Sequence, residues 1–159
     1  MKRIGGFLRF LLYSALLFLT GALWTAKKAS PIIVRKQKDI EKFRKLFSVM
    51  DVWVRKKQQR KSMGDFLKRN NYHSVAIYGL SNIGRLLEEE LKEYAEIRYG
   101  IDRRDVSAEF PVYKPEDPLP EVDMVVVTAA YEFEEIEDLL KRKLSCPIYS
   151  IEDMVYFMD

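Results

Sequence analysis

A turn with two glycines offers the clearest chemistry in the sequence. The β-rich run Ser74–Tyr78 ends at Gly79, and a helical run follows from Asn82 to Tyr94. The turn between them has the pattern G-x-S-x-x-G. Backbone N–H groups at a helix start bind phosphate where glycines let the ligand approach closely. We therefore expect a cofactor-binding turn formed by Gly79, Leu80, Ser81, Asn82, Ile83 and Gly84.

The turn departs from the full dinucleotide-binding pattern G-x-G-x-x-G at Ser81. The glycine normally found there lets the backbone touch a pyrophosphate. A serine hydroxyl can instead donate a hydrogen bond to a phosphate at the helix N-terminus. We expect Gly79 to make the tight turn and Gly84 to bring the helix close to the strand.

A carboxylate follows at the position where dinucleotide folds bind a ribose. Asp102 ends the second β-rich run, 18 residues after Gly84. Its side chain is expected to accept hydrogen bonds from an adenosine ribose. Arg103 and Arg104 come next, and they are interpreted either as contacts to a 2′-phosphate or as solvated loop charges.

The surrounding runs predict a parallel α/β fold. Asp123–Thr128 is nearly all apolar, which is typical of a central strand buried on both faces. A short strand at Pro111–Tyr113 leads into Lys114–Pro120, whose three prolines exclude a long crossover helix, and Pro147–Ile151 is the last strand. Right-handed crossovers then give a five-stranded parallel Rossmann-like sheet of order 3-2-1-4-5. The ligand crevice is expected between strands one and four, next to Thr128.

These segments resemble the small NAD(P)-binding Rossmann-like domains found in bacterial cell-surface polysaccharide clusters. They are also similar to the nucleotide-binding part of nucleotide-sugar dehydratases and epimerases. The similarity covers Met63 to Asp159 and rests on Val75–Gly79, Gly84–Leu87, Gly100–Asp102, Pro111–Tyr113 and Asp123–Thr128. The resemblance implies NAD, NADP or a nucleotide-sugar as the ligand.

Residues for a complete reaction are not found in the sequence. Tyr131 is followed four residues later by Glu135, so the Tyr-x-x-x-Lys pair of short-chain dehydrogenases is missing. His73 and Cys146 are the only residues of their types, which excludes the usual zinc site, and no metal is expected. We therefore expect a non-catalytic nucleotide-binding or interaction module, which the resemblance links to envelope polysaccharide synthesis. The alternative is a nucleotide-binding subunit of an oxidoreductase or sugar-modifying enzyme that a partner chain completes.

Charge divides the chain into a basic and an acidic part. Residues 1–70 hold 18 Lys and Arg against 4 Asp and Glu, and residues 71–159 hold 9 against 20, so +14 and −11 give the net charge of +3. An acidic folded part is a poor binder of nucleic acid. A basic segment beside an apolar one attracts anionic membrane lipids, which are the partners expected here.

The uncharged run Phe10–Ala26 predicts a membrane anchor. Its 17 residues would span about 25 Å as a helix, which is enough to cross a bilayer. A cleaved signal peptide and an interfacial helix are the alternatives, although Trp24 and Lys27 do not fit the small residue needed before a cleavage site. More basic residues follow the run than precede it, so the C-terminal domain is expected in the cytosol of a single-pass protein.

A basic connector is expected between the anchor and the domain. Pro31 should break the chain, and an amphipathic helix should begin near Asp39. Its apolar residues recur every three or four positions: Ile40, Phe43, Leu46, Phe47, Met50, Trp53 and Val54. This helix is expected to lie on the membrane, to pair with a partner or a second copy, or to pack on the following domain. The predicted organisation is an anchor over residues 1–30, a connector over 31–61 and a nucleotide-binding domain over 62–159.

Overall fold

The computed structural model describes residues 2–158, apart from the side chains of residues 2–9 and 21–33. The chain forms two compact units, Met1–Phe43 and Arg44–Asp159. The second unit therefore begins inside the segment expected to be a connector.

Helix α1 runs from Lys2 to Gln58 without interruption. The break predicted at Pro31 is wrong, because the helix continues through this position. In the part of the chain whose side chains are described, no helix has a stretch long and apolar enough to cross a bilayer. The predicted anchor, Phe10–Ala26, extends into residues 21–33, whose side chains lie outside the description. The transmembrane prediction is therefore not confirmed.

The remaining elements follow the predicted alternation of strands and helices. The helices are α2 (Met63–Asn70), α3 (Asn82–Leu91), α4 (Phe133–Lys141, after a 3₁₀ turn at Ala130–Glu132) and α5 (Ile151–Tyr156). The strands are β1 (Ser74–Tyr78), β2 (Glu96–Ile101), β3 (Val112–Tyr113), β4 (Met124–Val127) and β5 (Ile148–Ser150).

The five strands form one parallel sheet in the order β3-β2-β1-β4-β5, which confirms the predicted topology. Tyr78, the last residue of β1, lies between Ile101 of β2 and Val127 of β4. The loop between β3 and β4 contains no helix, as its prolines predicted. The sheet therefore changes winding direction between β1 and β4, directly beside the glycine turn.

Both faces of the sheet are covered, so the central strands are apolar throughout. Alternate residues of a strand point to opposite faces, and Ile77 packs with Leu87 of α3 while Ala76 packs with Ile136 of α4. All four residues of β4 are buried. This two-sided burial accounts for the continuous apolar run at Met124–Val127.

Local hydrogen bonds fix where the elements begin. The Ser62 hydroxyl accepts the N–H of Gly64 at the start of α2 at 3.0 Å. Ser150 and Asp153 form a reciprocal capping box at the start of α5. These caps set the path of the chain into and out of the sheet.

The last turns of α1 pack on the domain. Val49 and Trp53 are buried in the core cluster that also contains residues of α3 and α5. The Lys56 ammonium donates to the carbonyl oxygens of Tyr156 at 2.7 Å and Met158 at 2.8 Å. The second half of the expected connector is thus a structural part of the domain.

Candidate functional site

The turn after β1 requires glycine at its first position. Gly79 has φ +92°, a left-handed value that residues with a side chain rarely adopt. A Cβ on Gly79 would lie 2.6 Å from the Thr128 Oγ1 atom. The Gly79 N–H donates to the Ile101 carbonyl at 2.8 Å. The chain therefore leaves the sheet sharply at this residue, as the sequence predicted.

Gly84 lets α3 approach the turn. A Cβ at this position would lie 2.2 Å from the Gly79 carbonyl oxygen, which belongs to the backbone and has little room to move. The helix starts after Ser81, whose side chain makes no capping hydrogen bond and is exposed, as is that of Asn82. No side chain of its cap therefore competes for the first N–H groups of α3.

Two members of the turn point inward. The Leu80 and Ile83 side chains are buried in the core. The Leu80 N–H donates to the Asp102 Oδ2 atom at 2.9 Å. The face open to a ligand is thus made by Ser81, Asn82 and the start of α3, and the Leu80 amide is already used.

Asp102 is held inside the protein by four hydrogen bonds. It is only 4% exposed. Its Oδ1 atom accepts from the N–H and Nε of Arg104 at 2.9 and 3.1 Å. Its Oδ2 atom accepts from Leu80 and from the Arg104 Nη2 atom at 3.0 Å. The sequence placed Asp102 beside the turn correctly, but it gave no sign that Arg104 would saturate the carboxylate.

The pKa of Asp102 reflects two opposing effects. Burial acts to raise the pKa, while the hydrogen bonds from Arg104 and Leu80 stabilise the charged form and lower it. The hydrogen bonds prevail, and the pKa lies below its ordinary value. Asp102 is therefore an ionised anchor between the glycine turn and the following loop.

Thr128 ties β4 to the turn. Its hydroxyl is placed to donate to the carbonyl oxygens of Gly79 at 2.7 Å and Tyr78 at 3.1 Å. The residue is buried. Thr128 thus lies directly beside Gly79, and its hydroxyl holds the turn against the end of β4.

Arg103 lies close to Glu132 and Tyr78, two residues that the sequence did not single out. Its Nη1 atom is 3.8 Å from the Glu132 Oε2 atom. The Tyr78 hydroxyl is buried and has no hydrogen-bond partner among the described residues. Burial raises the pKa of Tyr78, and the nearby Arg103 charge opposes the rise. One sign of the cluster formed by Tyr78, Arg103 and Glu132 was present in the sequence: a tyrosine ends a buried strand, and a basic loop follows the next strand.

The described residues contain no group of three or more histidine, cysteine or carboxylate side chains arranged to hold a metal ion. Comparisons with protein-family models, with curated proteins and with solved structures find no match to this chain. The resemblance to NAD(P)-binding domains of polysaccharide clusters thus stays a prediction.

Proposed function

We propose that the α/β domain is a non-catalytic module that binds NAD, NADP or a nucleotide-sugar, with a ligand phosphate at the N-terminus of α3. The observation that carries the proposal is the turn itself. Gly79 has a left-handed backbone, Gly84 admits the helix, and α3 begins with no capping side-chain bond at Ser81. Helix N-termini of this kind favour anions through their N–H groups and dipole.

The position of the turn in the sheet also supports the proposal. Ligands of open parallel sheets bind outside the carboxyl ends of the strands where the winding reverses. Here that point lies between β1 and β4, immediately at Gly79.

A ribose could bind the Asp102 carboxylate only by replacing some of the hydrogen-bond donors that the carboxylate already has. Both carboxylate oxygens already accept two hydrogen bonds. In this proposal the ribose hydroxyls replace the Arg104 guanidinium, whose side chain is 64% exposed and loses little burial on leaving. The released guanidinium is then available for a ligand phosphate.

Substituting Ser81 tests the phosphate site without disturbing the fold. In Ser81→Asp a carboxylate occupies the place proposed for the phosphate, while aspartate is a favourable helix cap. We expect wild-type protein to bind at least one of NAD, NADP and UDP-glucose by calorimetry, and Ser81→Asp to lose that binding while its melting temperature is unchanged or higher.

Ser145→Asp is the matched control, because it makes the same change at an exposed residue before β5, at the opposite end of the sheet. It should bind as wild type does. If wild type and Ser81→Asp bind the ligand equally well, the ligand phosphate does not bind at this turn. The absence of heat with all three ligands would refute the proposal.

We also propose that the N-terminal part of α1 holds the protein at a bacterial membrane, with the domain on the cytosolic side. The supporting observation is the exposure of an uncharged apolar run: Leu17 is 73% exposed and Phe18 is 77% exposed. Burying such surface in lipid is favourable by about 25 cal/mol per Å². The basic residues that follow suit anionic lipid headgroups.

A further inference from the structure

The last part of α1 has an apolar face that the domain does not cover. Phe47 is 75% exposed and Val54 is 49% exposed, and Met50 between them is partly exposed. Leu86 of α3, 47% exposed, lies beside them. Val49 and Trp53, on another side of the same turns, are buried in the core. The helix thus carries more apolar surface than its own domain uses.

The uncovered residues follow a heptad repeat. We call Ile40, Phe43, Phe47, Met50 and Val54 the seam; their spacing is three, four, three and four residues. Ile40 is 57% exposed and Phe43 is 72% exposed. Apolar residues at an average spacing of 3.5 are the signature of helices that pack along one another, where they occupy the a and d positions.

The charges beside the seam are of both signs. Asp39 and Arg44 occupy the g and e positions, and Asp51 occupies the next e position. In a parallel pair each g residue faces the e residue of the following heptad on the other helix. Asp39 would then face Arg44 of the second copy, and the two-fold symmetry would give two such ion pairs.

We propose that the seam packs in parallel against the same seam of a second copy of this chain. The pairing is self-complementary, as a two-fold symmetric interface requires. A groove of about 560 Å³ lies beside the seam between α1 and α3, and its lining includes Met50, Val54 and Leu86 together with Lys57 and Glu90. A partner helix along the seam also covers Leu86. The proposal does not depend on nucleotide binding.

Light scattering of the full chain in mild detergent tests the proposal. Wild type is expected to have the protein mass of a dimer, and Phe47→Asp that of a monomer with an unchanged circular dichroism spectrum. Val52→Asp is the matched control: it makes the same kind of change on the same helix at a 41% exposed residue outside the seam, and it should stay dimeric. A monomeric wild type, or a dimeric Phe47→Asp protein, would overturn the proposal.

Disulfide trapping tests the parallel orientation. In a Cys146→Ser background, Phe47→Cys places the two thiols next to each other at one a position of a parallel pair. Mild oxidation should then convert most of the protein to a covalent dimer, while Val52→Cys should remain uncrosslinked. Val54→Cys, at one end of the seam, distinguishes the two orientations. It should crosslink as well in a parallel pair, whereas in an antiparallel pair centred on the seam the two copies of this residue lie far apart. Crosslinking through Phe47→Cys but not through Val54→Cys would show that the parallel arrangement is wrong.

The same cysteine variants separate a second copy from a lipid surface. With a water-soluble maleimide, Phe47→Cys is expected to be protected in detergent alone and in phosphatidylglycerol vesicles equally. Protection that arises only after the vesicles are added, without crosslinking, would assign the face to lipid and overturn the proposal.

Discussion

At the scale of single residues, Asp102 joins the two parts of the candidate site. Its carboxylate receives the N–H of Leu80 from the glycine turn and the guanidinium of Arg104 from the loop after β2. The turn is therefore held in its conformation by a charged group that is itself almost fully buried. Removing that charge should therefore lower the free energy of unfolding even when no ligand is present.

We expect Asp102→Asn to lower the free energy of unfolding at neutral pH by about 1–3 kcal/mol, the cost of weakening hydrogen bonds to a buried group. Asp102 has a lowered pKa in the folded state, so its contribution is complete above the ordinary value of 3.8 and is lost as the pH falls through the folded-state value. Urea denaturation at neutral pH and at pH values below 3.8 measures the difference, which should shrink in acid.

Asp105→Asn is the control for this experiment. Asp105 also has a lowered pKa, through its hydrogen bond and charge interaction with Lys114, but its side chain is 98% exposed. We expect little change at either pH. Equal losses at Asp102 and Asp105 would contradict the anchoring role of Asp102.

Gly84 and Gly100 give a second prediction, since a Cβ meets different obstacles at the two positions. At Gly84 the obstacle is the Gly79 carbonyl, while at Gly100 it is the ends of the Leu80 and Phe110 side chains. Overpacking typically costs about 1–3 kcal/mol, and most where the neighbour cannot move. Gly84→Ala should therefore unfold at a lower urea concentration than Gly100→Ala. The reverse order would show that α3 can shift away from β1.

The sequence predicted the residues of the turn well, because left-handed backbone and close approach leave glycine as the suitable residue. It did not predict the pairing of Asp102 with Arg104, or the buried hydroxyl of Tyr78. Both depend on side-chain directions in a loop and at a strand end, and no periodic pattern encodes these.

At the scale of elements, α1 changes its role along its length. The turns around Trp53 are part of the domain core, while Phe47 and Val54 remain exposed on the same helix. The strands were predictable because β1 and β4 are buried on both faces and therefore have continuous apolar sequences. The extent of α1 was not, since proline and a long basic stretch are also typical of a linker.

Trp53→Ala tests how firmly α1 is docked. Trp53 is 5% exposed, and truncating a buried tryptophan costs about 3–5 kcal/mol. We expect a large loss in the free energy of unfolding by chemical denaturation. Val52→Ala, at the exposed neighbouring position, should change it by no more than about 0.5 kcal/mol. A small effect at Trp53 would mean that the domain is stable without this helix.

At the scale of the whole molecule, the charge boundary and the structural boundary fall at different places. Residues 1–70 contain 18 of the 27 basic side chains and residues 71–159 contain 20 of the 24 acidic ones, whereas the second compact unit begins at Arg44. Composition predicted only the charge boundary. The position at which the second unit begins, Arg44, was not evident, because the amphipathic pattern continues unchanged through it.

The proposed membrane attachment gives a prediction at this scale. The full-length protein should remain in the membrane pellet after washes with high salt and alkaline carbonate. Leu17→Arg, in the middle of the uncharged run, should release part of it, since an arginine at the centre of a spanning helix costs about 2.5–3.5 kcal/mol on insertion scales. Val34→Arg, outside the run, is the control and should be retained. Release of the wild type by salt alone would indicate peripheral attachment.

The hydrogen bonds from Lys56 to Tyr156 and Met158 join residues about a hundred positions apart, with separations of 100 and 102. During translation, Val49 and Trp53 leave the ribosome long before the α5 residues of the same core cluster. Contacts between such distant segments form slowly, and unpaired apolar surface promotes aggregation in the meantime. Synthesis of this protein should therefore depend on chaperones that shield nascent helices, and the yield of correctly folded protein should fall when they are depleted.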